Sequence, residues 1–152
     1  VSPVVIVGVG SLLRRDDGAG IVAARRLRAV LPLSVRVDES AAEVSELLTL
    51  LSSCRCAILI DAACGIPAGQ VLRIDAHAQT LPTAPSTSSH ALTLAQILDL
   101  GRALGQLPET LILYGIGATD FGMGEGISPA VDAGVTEVVD RIVAELEKKA
   151  DS

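Results

Sequence analysis

Five short apolar runs alternate with stretches of helical periodicity, and that alternation constrains the chain more than any other feature. The runs fall at residues 4–9, 35–38, 56–60, 71–74 and 111–116. They are short and dominated by Val, Ile and Leu, as strands covered on both faces are. Between them apolar residues return at helical spacing. Gly20, Ala23, Ala24, Leu27 and Leu31 recur before Pro32 stops the pattern, Val44, Leu47, Leu48 and Leu51 form a second stripe, and Leu94, Ile97, Leu98 and Leu104 a third. Ser128-Pro129 opens a last helix, with Ser as N-cap and Pro in the first turn. The turn Gly65-Ile66-Pro67-Ala68-Gly69 is too short for a crossover, so the fourth strand should run antiparallel to part of the sheet. The expected fold class is α/β: a three-layer α/β/α arrangement with a five-stranded, mostly parallel mixed sheet and one antiparallel strand. A length of 152 residues suits one domain spanning 1–152.

Local signals refine this outline. Ser40-Ala41-Ala42-Glu43 reads as a capping box before the second helix. Glu137 with Arg141, and Glu145 with Lys149, read as i, i+4 pairs on the solvated side of the last helix. Cys54 and Cys56 lie two apart in a strand-like run and should face the same side as small buried apolar residues. Residues 80–89, rich in Pro, Ser and Thr, should form a loop.

Composition narrows the function classes. A net charge of −6, no Trp, one Tyr and one Phe argue against nucleic acid, which needs a basic surface and stacking platforms. No apolar stretch approaches the roughly 20 residues that span a bilayer. Residues 1–9 lack the charged region and cleavage site of a signal peptide. Three cysteines, an odd number, suit reduced thiols and a cytoplasmic location.

Three polar residues stand where such a fold delivers side chains to one rim of its sheet. Asp17 lies in the loop after the first strand, Asp61 follows the apolar run Ala57-Ile58-Leu59-Ile60, and His90 ends the Ser/Thr-rich loop. Each has a bland reading as well. Asp17 at a helix start would cap free amides, Asp61 would be a hydrogen-bonded structural acid, and His90 an ordinary loop histidine. Together they form a mixed oxygen and nitrogen set that suits Ni, Zn or Fe. Asp16, beside that set, is either a general base or a structural cap, the cap being preferred. His77 reads as a surface residue.

The run Gly8-Val9-Gly10-Ser11-Leu12-Leu13-Arg14-Arg15-Asp16-Asp17-Gly18-Ala19-Gly20 resembles the signature of the hydrogenase maturation endopeptidases. Ile60-Asp61-Ala62, His90, Gly115-Ile116-Gly117 and Gly124-Glu125-Gly126-Ile127-Ser128-Pro129 match that family in order and spacing, over nearly the whole chain. The resemblance implies a protease that removes a short C-terminal extension from the large-subunit precursor of a nickel–iron hydrogenase after nickel insertion. It implies that Asp17, Asp61 and His90 are the metal-binding and catalytic set. The cofactor implied is nickel, that of the substrate, with other divalent metals such as Zn or Cd able to occupy the site. It also implies a five-stranded mixed sheet between helix layers. The chain departs from the family in having Ser11 where Asn is usual, and Gly115-Ile116-Gly117-Ala118 where the family has Gly-Ile-Gln-Pro.

Three other readings compete. A dinucleotide-binding domain would use Gly8-Val9-Gly10 and Asp38, but Leu13 holds the place of the third glycine, and Asp16 and Asp17 put negative charge where a pyrophosphate would sit. A cysteine hydrolase would pair Cys64 with His90, without a flanking nucleophile motif. A non-catalytic nickel-binding chaperone of hydrogenase maturation would use the same three ligands.

Overall fold

The computed structural model describes residues 2–79 and 93–150. One five-stranded sheet organises them. In chain order the elements are β1 (Ser2–Val9), a 3-10 turn (Arg15–Gly18), α1 (Ala19–Val30), β2 (Arg36–Ser40), α2 (Val44–Ser52), β3 (Cys54–Ala63), β4 (Val71–Asp75), α3 (Leu94–Ala103), β5 (Thr110–Gly117) and α4 (Pro129–Ala150). Strand order is β2-β1-β3-β5-β4. All pairs are parallel except β4 with β5, as the short connection after β3 requires. The expected mixed α/β sheet is the one observed.

Strand alternation divides the interior into two cores. Val5, Val7, Val9, Ala57, Leu59 and Leu111 pack with α2 and α3 on one face. Ile6, Ile58, Ile60, Ile112, Tyr114 and Ile116 face α1 and α4 on the other. With almost no aromatic residues, both cores are built from branched aliphatics and alanine. The small side chains of Ala19, Ala23 and Ala24 let α1 lie close to the sheet.

Four local expectations need correcting. The capping box before α2 does not form: Glu43 is itself the N-cap and accepts from Ser45 N and Glu46 N, while Ser40 Oγ accepts from Ala42 N. Ala42 sits at φ 63°, and that left-handed residue turns the chain so that Glu43, not Ser40, reaches the free amides. A true capping box occurs instead at Thr93 and Gln96, opening α3. Cys54 and Cys56 are both buried but do not share a layer. Cys54 Sγ folds back onto the Leu50 and Leu51 carbonyls of the helix it has just left, whereas Cys56 Sγ lies 3.1 Å from Lys149 Nζ on α4. Glu145 is not on a solvated face, because it accepts hydrogen bonds from Arg73 on β4 and from the Tyr114 hydroxyl. Finally, Asp61 does not follow its strand. β3 continues to Ala63 because it keeps pairing with β5 as far as Gly117, and Asp61 lies opposite Gly115 inside that ladder. Glu137 and Arg141 do form their i, i+4 pair, at 3.3 Å.

Candidate active site

The loop after β1 is shaped by close approaches that only glycine allows. Gly10 has φ 141°, and a Cβ there would stand 2.0 Å from the Asp17 carbonyl oxygen. Gly20, in the first turn of α1, lies so near the strand ends that a Cβ would meet the Ile60 carbonyl oxygen at 2.2 Å and that of Val9 at 2.5 Å. The start of α1 is therefore pressed against the carboxyl ends of β1 and β3. This packing brings Asp17 beside Asp61.

Asp17 does not cap α1. Its Oδ2 accepts from Ser11 N at 3.1 Å, and neither the 3-10 turn nor α1 has a side-chain N-cap. Burial raises its carboxyl above the ordinary value, against the lowering effects of the Arg14 charge and the Ser11 amide. Asp61 is pushed further, to about 7, first by burial and then by the negative charge of Asp17, with the Ala62 amide opposing. Among the described residues neither carboxylate joins a salt bridge. Two neighbouring carboxylates with raised affinity for protons, one of them raised partly by the charge of the other, are an arrangement that favours a proton or a cation between them.

A cleft of about 310 Å³ opens beside Asp61 on the α3 side of the sheet, walled by Ala62, Ile66, Leu72, Ile74, Leu94 and Leu113. Cys64 also borders it, and its thiol is held above the ordinary value by burial and then by the charges of Asp61 and Asp17. That environment suppresses the thiolate a cysteine nucleophile needs.

Asp16 and Asp17 are adjacent in sequence and differ completely in setting. Asp16 is fully buried, and its carboxylate accepts from Ser128 N at 2.8 Å, Ser128 Oγ at 3.2 Å and Asp120 N at 3.2 Å. It is therefore a structural cap, but of the segment leading into α4 and not of its own helix. No pattern in the sequence marked Ser128 as its partner, because the two are 112 residues apart. His77 sits after β4, whose last residue pairs with Ile112 near the start of β5, so it lies at the opposite end of the sheet from Asp61. Its Nε2 is 2.8 Å from the Pro108 carbonyl oxygen. Asp38 is taken up by Arg36 at 2.6 Å. His90 and the whole Ser/Thr-rich loop, residues 80–89, lie outside the described residues. Among those described, no three His, Cys, Asp or Glu side chains cluster as a metal-ligand set.

A family model described as hydrogenase maturation protease matches residues 27–145, well over half of the chain. The chain belongs to the hydrogenase maturation protease family. It is 27% identical over 150 residues to the hydrogenase 2 maturation protease of Escherichia coli, covering 95% of this chain and 91% of that one. Its fold is similar to that of the hydrogenase-maturating endopeptidase HybD from E. coli, with a TM-score of 0.78 at 22% identity, covering 97% and 93% of the two chains. It is also similar in fold to a nickel–iron hydrogenase maturation protease, HycI, of Thermococcus kodakarensis, with a TM-score of 0.70 at 22% identity and coverage of 96% and 93%. In this maturation protease, Asp17 lies in the loop beyond β1, and Asp61 lies in β3 just past Ile60, the last residue paired with β1, so both are at the carboxyl edge of the parallel strands, where ligands of such sheets bind. No helix among the described residues is long and apolar enough to cross a membrane.

Proposed function

We propose that this maturation protease cleaves the C-terminal extension from the large-subunit precursor of a nickel–iron hydrogenase once nickel has been inserted. Asp17, Asp61 and His90 engage that metal as part of the substrate. The observation that carries the reading is the raised affinity for protons of Asp17 and Asp61, two neighbouring carboxylates of which neither joins a salt bridge among the described residues. Such a pair is poor as a structural element, because each charge raises the cost of the other. It suits a site completed from outside the chain by a divalent cation, to which two carboxylates and a neutral imidazole are appropriate donors.

Amide hydrolysis needs water delivered to the scissile carbonyl and a proton delivered to the leaving nitrogen. Asp61, with a carboxyl pushed to about 7, holds or releases a proton near neutral pH. Asp17 raises that proton affinity and is anchored by the Ser11 amide. The cleft beside Asp61 offers room for the chain flanking the cut. The raised thiol of Cys64 argues against the cysteine-hydrolase alternative.

The direct test is the intact mass of a nickel-loaded large-subunit precursor before and after incubation. A nickel-free precursor and the His90→Ala enzyme serve as controls. Loss of a C-terminal peptide only with nickel and His90 is the expected result. An unchanged mass, where a known maturation protease processes its own precursor, would favour the nickel-binding chaperone instead.

A further inference from the structure

One buried acid takes no part in that chemistry. Asp16 is fully enclosed, yet it stands next to a residue of the candidate site. A carboxylate is an expensive way to fill space, since its charge survives burial only when donors converge on it. Here three donors converge, and all come from the segment between β5 and α4: Ser128 N, Ser128 Oγ and Asp120 N. The same two loops are joined at several further points. Asp16 N donates to the Asp120 carbonyl at 3.0 Å, Arg15 N to that of Gly124 at 2.9 Å, and Gly124 N to that of Leu13 at 2.9 Å. Arg15 Nε adds a bond to the Met123 carbonyl at 3.2 Å.

The backbone under this seam is strained. Arg15 has φ 47°, a left-handed conformation that a non-glycine residue keeps only when its surroundings over-determine it. Asp17 follows two residues later, and among the described residues its side chain accepts one hydrogen bond, from the Ser11 amide. The strained loop would be free to relax without the seam, and Asp17 would turn with it.

We propose that Asp16 is a positioning residue, which fixes the Asp17 carboxylate at the rim by clamping its loop to the 120–128 segment. This rests on Asp17 acting in cleavage, as proposed above. Asp16 touches no substrate. It acts through Asp17, as groups that hydrogen-bond around a ligating residue and orient it do. The arrangement also gives the glycine-rich segment after β5 a definite task. It is the fixed wall against which the loop carrying Asp17 is held.

The test compares Asp16→Ala, Asp16→Asn and Ser128→Ala with the native enzyme, using precursor-cleavage kinetics and amide exchange followed by NMR on the full chain. Asp16→Ala is expected to lower kcat about 10–100-fold, the usual effect of losing such a group, while KM for the precursor stays within about twofold. The Ser11 amide, which reports on the Asp17 carboxylate, should exchange at least tenfold faster (order of magnitude) while amides of β3 and β5 keep their protection. Asp16→Asn can still accept from Ser128 N and donate to Ser128 Oγ, so it should fall between native and Ala; Ser128→Ala loses one bond of three and should change least. If Asp16→Ala does not fold, the two milder variants carry the comparison. Unchanged Ser11 exchange, uniformly faster exchange across the sheet, or an effect on KM alone would overturn the proposal. Native enzyme that cuts no precursor would overturn the protease reading, and the exchange measurements would still decide whether Asp16 positions Asp17.

Discussion

Asp61 and Glu145 are both carboxylates drawn out of water, and they reach opposite states. At the rim, burial and the charge of Asp17 push Asp61 up to about 7. On the α4 face, burial also pushes Glu145 upward, but hydrogen bonds from Arg73 and Tyr114, and the charges of Arg73 and Lys149, outweigh it and leave its carboxyl below the ordinary value. The Arg73 guanidinium is 2.6 Å away, and the Tyr114 hydroxyl, itself pushed up to about 12 by burial and by Glu145, donates to the same oxygen. The Arg141 guanidinium lies over the Tyr114 ring at 5.5 Å and adds positive charge nearby. One carboxylate is matched by the fold. The other joins no salt bridge among the described residues, and it is the one proposed above to act in cleavage.

The contrast breaks most sharply at Asp61. Asp61→Asn should reduce precursor cleavage by about 10²–10⁴-fold, the range for a lost general acid or base. Near pH 8 it should leave stability unchanged or raise it by about 1–2 kcal/mol, because the amide carries no charge to desolvate. Mass spectrometry and urea unfolding measure the two effects. An Asp61→Asn protein that is inactive because it is less stable would place Asp61 in the same class as Glu145.

The next effect is on binding. His90 has to be neutral to act as a ligand, so nickel affinity, measured by calorimetry, should fall by about tenfold for each pH unit below about 6.5. An affinity flat from pH 8 to pH 5 would remove His90 from the set.

A smaller effect belongs to the matched region. Arg73→Ala should cost about 1–2 kcal/mol, below the value for a fully buried pair because both partners are partly exposed. Cleavage should be unchanged, because Arg73 lies on the α4 side of the edge strand. The pH dependences are opposite in sign. Glu145, with its carboxyl lowered, stabilises the protein above its ordinary value of 4.5, and that contribution disappears as the pH falls below it. Asp61, with its carboxyl raised from 3.8 to about 7, contributes most below 3.8, and its contribution is lost as the pH rises through about 7. Urea midpoints of the native and Asp61→Asn proteins should therefore diverge in favour of the variant between about pH 4 and pH 7. Parallel curves would contradict the assignment.

The smallest signal comes from Cys64. Its thiol is raised partly by Asp61 and Asp17, so Asp61→Asn should speed its alkylation by about two- to fivefold at pH 7.5, through a larger thiolate fraction. An unchanged rate would mean that the rim charge does not reach the cleft.

The parts of the fold legible in advance were those set by near neighbours in the chain. Alternating burial along β1, β3 and β5, and the helical stripes of α1 and α2, follow from which residues are apolar and at what period. The antiparallel fourth strand followed from the length of a turn. Misreadings arose where a local pattern met a distant partner or an unusual dihedral. Ser40 and Glu43 had the spacing of a capping box until the left-handed Ala42 intervened. Glu145 does feel the charge of Lys149 at helical spacing, but Arg73 and Tyr114 also reach it from the sheet, so that its face is not the solvated one. Cys54 and Cys56 had strand spacing, but the end of α2 claimed the first.

The candidate site divides in the same way. The sequence by itself determined that Asp17 and Asp61 would stand on one rim, because parallel strands deliver the residues at their carboxyl ends to the same side, and the glycines at positions 10 and 20 permit the close packing there. It could not determine which of two consecutive acids would be free and which enclosed. Only the tertiary structure decided that, by folding Asp120 and Ser128 from the far end of the chain onto Asp16, while Asp17 accepts one hydrogen bond among the described residues, from the Ser11 amide. The reason is physical. Secondary structure is encoded by neighbours a few residues apart, but the state of a buried charge depends on every donor that packs around it, wherever in the chain that donor lies.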